Sequence, residues 1–285
     1  MIAADLPVID VAAYEPSLAI DCALAARWLE AFLSDELRVR RGIGRAVVGL
    51  SGGVDSAVTA FLCARALGPE NVWAIRLPYV SSSPASLSDA QLVIDALGCN
   101  ARTIDISAAV DGYLQYEDQA DARRRGNVMA RTRTLVLFDQ SQKLGALPIG
   151  TGNKTERLMG YFTWHADDSP PLNPLGDLFK TQVWALARYL GVPEAVVAKA
   201  PSADLEANQT DESDLGITYA LADRILALLL LGYDDARIAL RGYASHDVAL
   251  VRARVEGTHW KRHLPTTAML SNTAINEFYL RPVDY

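Results

Sequence analysis

Short apolar runs alternate with longer amphipathic segments along this chain. Apolar runs bounded by turn residues are typical of buried strands, and apolar residues three and four apart are typical of helices. Alternating strands and helices predict an α/β fold, a doubly wound parallel sheet with helices on both faces. The predicted strands are 46–50, 71–77, 101–106 and one starting at 147, the predicted helices are 17–40, 55–67, 89–97, 121–144, 182–190, 214–231 and 246–257, and the main predicted loops are 81–88 and 160–181.

A glycine-rich turn joins the first predicted strand to the next helix, with the sequence Gly49-Leu-Ser-Gly-Gly-Val-Asp-Ser56. Glycines let a ligand approach the backbone, and the N–H groups and dipole of a helix start favour a phosphate. Ser51 and Ser56 add hydroxyl donors, and Asp55 is an acid where a metal-bound phosphate needs one. The Gly-Lys-Ser/Thr ending of a Walker loop is absent. The turn is therefore predicted to bind pyrophosphate in another way.

Composition and charge exclude several classes of protein. The 285 residues are 50% hydrophobic, and no apolar run is long enough to span a membrane. The net charge is −7, from 27 basic and 34 acidic residues, which argues against broad nucleic-acid binding. The three cysteines are scattered, and the N-terminus lacks a signal-peptide pattern. These observations predict a cytoplasmic protein, in which local basic clusters are available to a small anionic ligand.

The glycine turn resembles the pyrophosphate loop of the N-type ATP pyrophosphatases, which cleave ATP between its α and β phosphates. Further segments, in their order and spacing, are similar to NAD synthetases of the ammonia-dependent type. This resemblance implies a Rossmann-like fold of the adenine nucleotide alpha hydrolase kind. The segments that carry it are 126–133, 150–156, 172–183, 201–204, 209–216 and 261–262.

The resemblance also implies roles for individual residues. It implies that Asp55 and Glu156 hold Mg²⁺ and that Lys180 neutralises the departing pyrophosphate, so that these three residues are catalytic. It implies that Arg131 and Lys261 contact the dinucleotide substrate. The residues implied to contact ATP are Gly49, Leu50, Ser51, Gly52, Gly53, Val54, Asp55, Ser56, Arg76, Thr151, Lys180 and Ser202.

Taken without the family, these residues have ordinary alternatives. Glu156 is equally an acid at a helix start, where it favours the helix dipole. The alternative for Lys180 is a surface lysine near a helix start, where lysine is not electrostatically favoured. A strand-end arginine such as Arg76 is more often solvated, and the alternative for Arg131 is a solvated helix face. The chemistry of single residues therefore leaves both interpretations open.

The implied reaction is a two-step amidation of deamido-NAD with ATP and ammonia. The substrate carboxylate attacks the α-phosphorus to give an acyl-adenylate and pyrophosphate, and ammonia then displaces AMP. The reaction needs no protein nucleophile, only positioning, metal charge and exclusion of water.

The arrangement of the chain bears on the nitrogen source. We expect a single domain over 1–285 without a glutaminase domain, because 48 residues precede the loop and residue 2 is Ile2 rather than cysteine. Ammonia is then free or delivered by a partner. The resemblance implies a homodimer, for which helices 17–40 and 214–231 are candidate interfaces, and the aromatic tail 271–285 is expected to pack on the body or a neighbour.

Three positions depart from the family pattern on the nicotinate side of the substrate. Trp164 replaces a lysine, Pro171 an acid and Trp260 a histidine. Loss of one charge-assisted hydrogen bond costs about 1.5–3 kcal/mol, enough to change substrate preference. The sequence therefore favours an NAD synthetase whose tryptophans stack on the pyridine ring, with an amide ligase that adenylates another carboxylate as the alternative. A regulator that binds ATP without catalysis is disfavoured, because the metal and leaving-group residues are retained.

Overall fold

The predicted alternation of strands and helices is present in the computed structural model, which describes residues 16–202, 210–263, 266–268 and 270. Within these residues, β1 (Ala46–Gly49), β2 (Val72–Arg76), β3 (Asn100–Thr103) and β4 (Leu147–Ile149) form one parallel sheet in the order β3-β2-β1-β4. The helices of the same residues are α1 (Cys22–Ser34), α2 (Val54–Leu67), α3 (Pro84–Leu97), α4 (Ser107–Leu114), α5 (Ala122–Leu144), α6 (Lys154–Met159), α7 (Lys180–Leu190), α8 (Glu194–Val197), α9 (Asp211–Leu215), α10 (Tyr219–Leu230), α11 (Asp235–Ala239) and α12 (Ser245–Gly257), with a π-helical turn at Asp35–Arg40 and 3-10 turns at Pro69–Asn71 and His259–Arg262.

Helices cover both faces of the sheet. Successive residues of a strand point to opposite faces, and β1 shows this directly. Ala46 and Val48 pack in a core with α1, α2 and α7, whereas Val47 packs in a core with α4 and α5. A third apolar cluster joins α10 and α12 to α6 and α7. The doubly wound parallel sheet predicted from the sequence is confirmed.

The order of the strands creates a topological switch point between β1 and β4. The chain runs outward from β1 through β2 to β3 and then returns to the other side of β1 as β4. Ligands of open α/β sheets bind beyond the carboxyl ends of the strands at such a switch point. The loop 50–53 follows β1 and the loop 150–153 follows β4, so both glycine-containing loops lie at this point.

Several helix boundaries differ from the sequence prediction because of local capping. The segment 81–88 is not all loop, since α3 already begins at Pro84, and the Ser83 side chain caps it. The predicted helix 214–231 is two helices, because Gly216 adopts a φ of +74° at the end of α9 and Thr218 caps α10. The first helix is capped by Asp21 and begins later than predicted. Helices α4, α6, α8 and α11 were not predicted.

Two further expectations concern the whole chain. In the described part, no helix combines the length and the apolar character needed to cross a membrane. The tail 271–285, expected to pack on the body, lies outside the described residues. The single domain over 1–285 stays a prediction.

Candidate active site

A buried lysine occupies the centre of the candidate site. Lys180 is the first residue of α7, and only 1% of it is exposed. Its Nζ donates a hydrogen bond to the carboxylate of Asp55 in α2 and lies 3.7 Å from Oε1 of Glu156 in α6. A buried charge is stable only when it is paired. The structure thus brings together the three residues predicted to be catalytic, and it excludes the alternative of a surface lysine.

Asn153 connects the two carboxylates of this cluster. Its Nδ2 donates to Oδ1 of Asp55 at 3.0 Å, and its Oδ1 accepts from the backbone N–H of Glu156 at 2.9 Å. The Asn153 backbone N–H donates in return to Oε2 of Glu156 at 3.1 Å, which completes a capping box at the start of α6. This role of Asn153 was not predicted, although the Asn-x-x-Glu spacing of a capping box is a usable signal in the sequence. Glu156 therefore both caps a helix and belongs to the site.

Three acidic side chains and one lysine set the electrostatics of the cluster. Burial alone would lower the pKa of Lys180, but the carboxylates of Asp55 and Glu156 raise it above its ordinary value, so the lysine stays charged. Burial, and then the Asp55 carboxylate, raise the pKa of Glu156 from 4.5 to about 8, against the opposing effect of Lys180. The buried carboxylate of Asp211, which accepts from the Tyr219 hydroxyl at 2.9 Å, adds to the negative side. Below a pH of about 8 Glu156 keeps its proton, so it adds a negative charge to this set only when that proton is lost.

The same carboxylates are suited to a magnesium ion. Among the described residues, no group of three or more His, Cys, Asp or Glu side chains could hold a metal ion. Mg²⁺ usually takes one or two carboxylates and completes its shell with water and substrate phosphates. Asp55 and Glu156 offer hard oxygen ligands within one cluster, and Glu156 gains a negative charge when it loses its proton, so the residues present fit this ion.

The loop after β1 presents the start of α2 to a ligand. The N-cap of α2 is Gly53, which has no side chain to accept the N–H groups of the first turn. Gly52 has a φ of +82°, and a β-carbon on it would lie 2.3 Å from the carbonyl oxygen of Ser86, so this position requires glycine. The Ser56 hydroxyl donates to the Gly53 carbonyl at 3.0 Å, and the Ser51 hydroxyl accepts from the Gly53 N–H at 3.2 Å. These two serines therefore shape the loop from within.

The structure shows fewer contacts for the other residues predicted to contact ATP. Arg76 ends β2 and donates from Nη1 to Oε1 of Gln91 at 2.6 Å, while its buried Nε has no hydrogen-bond partner among the described residues. A buried donor left in this way suits an acceptor on a ligand. Thr151 follows β4 and is half-buried, and Ser202 is exposed at the last described position before 203–209. Their contacts with ATP stay predictions.

A cavity of about 350 Å³ opens beside Glu156. Its lining includes Trp164, Asp167 and Lys261 as well as Glu156. Trp164 and Trp260, two of the departures from the family pattern, contact each other with ring centroids 5.2 Å apart and planes nearly perpendicular at 82°. Two departures that are distant in the sequence therefore form one aromatic cluster at this cavity.

The two predicted substrate-binding cations bind the backbone near this cavity. Nη2 of Arg131 donates to the carbonyl oxygen of Trp164 at 3.0 Å. Nζ of Lys261 donates to the carbonyl oxygens of Gly160, at 2.6 Å, and of Phe162. Both cations thus fix the segment 160–164, and their direct contact with a substrate stays a prediction.

Comparison with known proteins gives a consistent picture. The family model described as NAD synthase matches residues 25–265. An NH3-dependent NAD(+) synthetase of Trichlorobacter lovleyi is 45% identical over 260 residues, which cover 91% of this chain and 95% of that protein. Among solved structures, an NMN synthetase from Francisella tularensis has a TM-score of 0.78 at 31% identity, covering 88% of this chain and 99% of that one. An NH3-dependent NAD synthetase from Campylobacter jejuni has a TM-score of 0.76 at 30% identity, covering 88% of this chain and 100% of that one.

The buried ion pair predicts a non-additive pair of substitutions. Lys180→Met should lower the free energy of unfolding of the metal-free protein by about 3–5 kcal/mol, because it leaves the carboxylates without a cation. Adding Asp55→Asn should recover part of this loss, so that urea unfolding gives a coupling energy of about 1–3 kcal/mol. Lys154→Met is the control, because Lys154 pairs with Asp177, whose side chain is 95% exposed; its loss should stay below about 1 kcal/mol. Additive effects at Lys180 and Asp55 would contradict the pairing.

The raised pKa of Glu156 predicts a pH dependence. Between 4.5 and about 8 the folded protein keeps a proton that the unfolded chain has lost. The contribution of this group is therefore full below pH 4.5 and disappears as the pH rises to about 8. Glu156→Gln keeps an acceptor for the cap but does not titrate, so the melting temperature of the metal-free variant should fall less over this range. If the melting temperatures of the wild type and of Glu156→Gln fall in parallel as the pH rises, the raised pKa of Glu156 is refuted.

Proposed function

The chain belongs to the NAD synthase family, and we propose that it performs the family reaction with Asp55, Glu156 and Lys180 at the carboxyl edge of the sheet. It is a ligase that forms a carbon–nitrogen bond and makes NAD by amidation of deamido-NAD with ATP and ammonia. The observation that carries the proposed site is the buried cluster of one lysine and two carboxylates directly beside the loop at the start of α2.

The loop 49–56 is the proposed binding site for the β and γ phosphates of ATP. The uncapped N–H groups of the first turn of α2 and the helix dipole both favour an anion here. Lys180 adds a full positive charge that its neighbours keep protonated. As the bond to the α-phosphorus breaks, negative charge grows on pyrophosphate, and these fixed donors stabilise it without rearrangement.

Asp55 and Glu156 are the proposed ligands of Mg²⁺. When bound, the ion neutralises phosphate charge and makes the α-phosphorus more susceptible to attack. The two carboxylates are held in place before any ligand arrives, since Asn153 donates to both of them. Deprotonation of Glu156, whose pKa is about 8 in the metal-free protein, accompanies its use as a ligand.

The cavity beside Glu156 is the proposed site for the nicotinate half of the substrate. It extends from Gly152 and Glu156 to Trp164 and Lys261, so a carboxylate held there lies next to the proposed phosphate site. Trp164 offers an aromatic face for the pyridine ring. Arg131 and Lys261 act in this proposal by fixing the segment that carries Trp164. The proposed reaction requires that water be kept from the adenylate until ammonia attacks it.

The alternative of an unrelated carboxylate substrate is not favoured. Relatives that are 44–45% identical over about nine-tenths of this chain carry the name NAD synthetase. The departures at Trp164, Pro171 and Trp260 therefore do not by themselves argue for another reaction. One solved structure with a similar fold is an NMN synthetase, and the acid that corresponds to NMN is for that reason a useful competing substrate in the test.

The decisive experiment measures NAD formation by the purified protein. With ATP, Mg²⁺, ammonium and deamido-NAD, a coupled NAD-dependent dehydrogenase should report NAD, and the reaction should require Mg²⁺. Asp55→Ala should reduce pyrophosphate release by at least about 100-fold while the protein still melts cooperatively. If the folded protein binds ATP but forms no NAD, deamido-NAD is rejected as its substrate. If it turns over only the acid corresponding to NMN, that acid replaces deamido-NAD as the proposed substrate. Normal turnover by Asp55→Ala would remove the role of Asp55.

We also infer that the protein is a homodimer. Helix α10 is mostly core, but α1 leaves Leu24 and Trp28 exposed at 55% and 74%, and α5 leaves Leu135 and Phe138 exposed at 68% and 41%. Large apolar side chains exposed in groups mark interaction surfaces.

Sedimentation should therefore give twice the chain mass of 30.9 kDa. Phe138→Asp should shift the protein towards monomer, whereas Leu240→Asp, at the end of α11 and 86% exposed, should not. A monomeric wild type would refute the inference.

A further inference from the structure

A buried aspartate in α10 joins the two segments that carry Glu156 and Lys180. Asp223 has no exposed surface. Its Oδ1 accepts from the Thr155 hydroxyl at 2.5 Å, and its Oδ2 accepts from the Thr181 hydroxyl at 2.7 Å and the Thr181 N–H at 2.9 Å. Thr155 precedes Glu156 and Thr181 follows Lys180 in the chain. One carboxylate therefore holds the immediate neighbour of each of these two residues.

A direct hydrogen bond closes this arrangement into a ring. The backbone N–H of Lys180 donates to the Thr155 hydroxyl oxygen at 3.0 Å, while that hydroxyl donates to Asp223. Thr155 is also fully buried. The path from Asp223 through Thr155 and Lys180 to Thr181 returns to Asp223. Such a ring fixes the start of α7 relative to the start of α6.

The start of α7 depends on Asp223 because its own sequence lacks a cap. The N-cap residue is Phe179, whose side chain cannot accept a hydrogen bond. Helices usually satisfy their first N–H groups with a side-chain oxygen from this position. Here the Gln182 side chain accepts from the Phe179 N–H at 2.9 Å, and Asp223 accepts from Thr181. A residue distant in the sequence thus performs the capping that Phe179 does not.

We propose that Asp223 is a positioning residue that sets the separation of Lys180 and Glu156. The proposal rests on the function proposed above, because it assigns these two residues to catalysis. The hydrogen bonds of Asp223 go to the two threonines, so its effect passes through the backbone rather than through the reacting groups. Three donors surround its carboxylate, which makes geometry, and not the charge of Asp223, the property to test.

The test compares three variants of the full chain in the NAD-forming assay. Asp223→Ala should lower kcat by about 10- to 100-fold, because small displacements of catalytic groups have effects of that size. Its KM for ATP and for deamido-NAD should stay within about threefold of wild type. Asp223→Asn should recover most of kcat, because its oxygen can accept from Thr181 while its amide donates to the Thr155 hydroxyl. Leu226→Ala is the control, since Leu226 is buried in the same helix; it should lower the melting temperature with kcat within about twofold of wild type.

Each outcome decides the proposal. A wild-type kcat in folded Asp223→Ala, an equal loss of kcat in Leu226→Ala, or no recovery in Asp223→Asn would overturn it. If Asp223→Ala does not fold, Thr155→Val and Thr181→Ala carry the test, because each breaks the ring at one point, and wild-type kcat in both would overturn it. If the proposed function itself is wrong, the wild-type protein makes no NAD at all. This result distinguishes that failure from failure of the role proposed for Asp223.

Discussion

The buried charge of Lys180 is the constraint on which the rest of the site depends. A lysine that is 99% removed from solvent must have its charge satisfied inside the protein. Asp55 and Glu156 provide this, and they come from segments that follow β1 and β4. The ion pairs therefore connect α7 to α2 and α6, the helices that follow the two glycine-containing loops. The site is thus organised before a nucleotide binds. Such preorganisation favours a reaction that has no protein nucleophile, because positioning and fixed charge then supply the catalysis.

The same constraint explains why the cluster holds more carboxyl groups than lysines. A lysine balanced by a single carboxylate would be a stable structural pair with no affinity for further cations. The second carboxylate, Glu156, holds a proton up to a pH of about 8 in the metal-free protein because of burial and of Asp55. A cation, free or bound to phosphate, that displaces this proton offsets both the burial of the Glu156 carboxylate and its repulsion by Asp55. The site is thus stable when empty and still favours a cation.

The sequence predicted the parts of the structure that have local signatures. The glycine turn at 49–56, the parallel sheet and the site at its carboxyl edge follow from patterns of adjacent residues. The burial of Lys180 and the ring around Asp223 could not be predicted in this way, because an aspartate in an apolar helix gives no sign of its partners in two other helices. The break at Gly216 was missed because the apolar pattern continues across it. Long-range hydrogen bonds between polar side chains have no period in the sequence.

The two proposed halves of the site are held by different kinds of contact, which bears on the positions that were expected from the sequence to depart from the family pattern. At the phosphate half, side chains bind side chains, so a change at Asp55 or Lys180 disturbs its partners directly. At the cavity, Lys261 and Arg131 bind main-chain carbonyls of Gly160, Phe162 and Trp164. Carbonyl groups are present whatever the side chain, so a tryptophan at 164, where the resemblance implies a lysine, leaves the anchoring of the segment intact. The substrate half can therefore change its surface, including the contact of Trp164 with Trp260, while the geometry beside Glu156 is preserved.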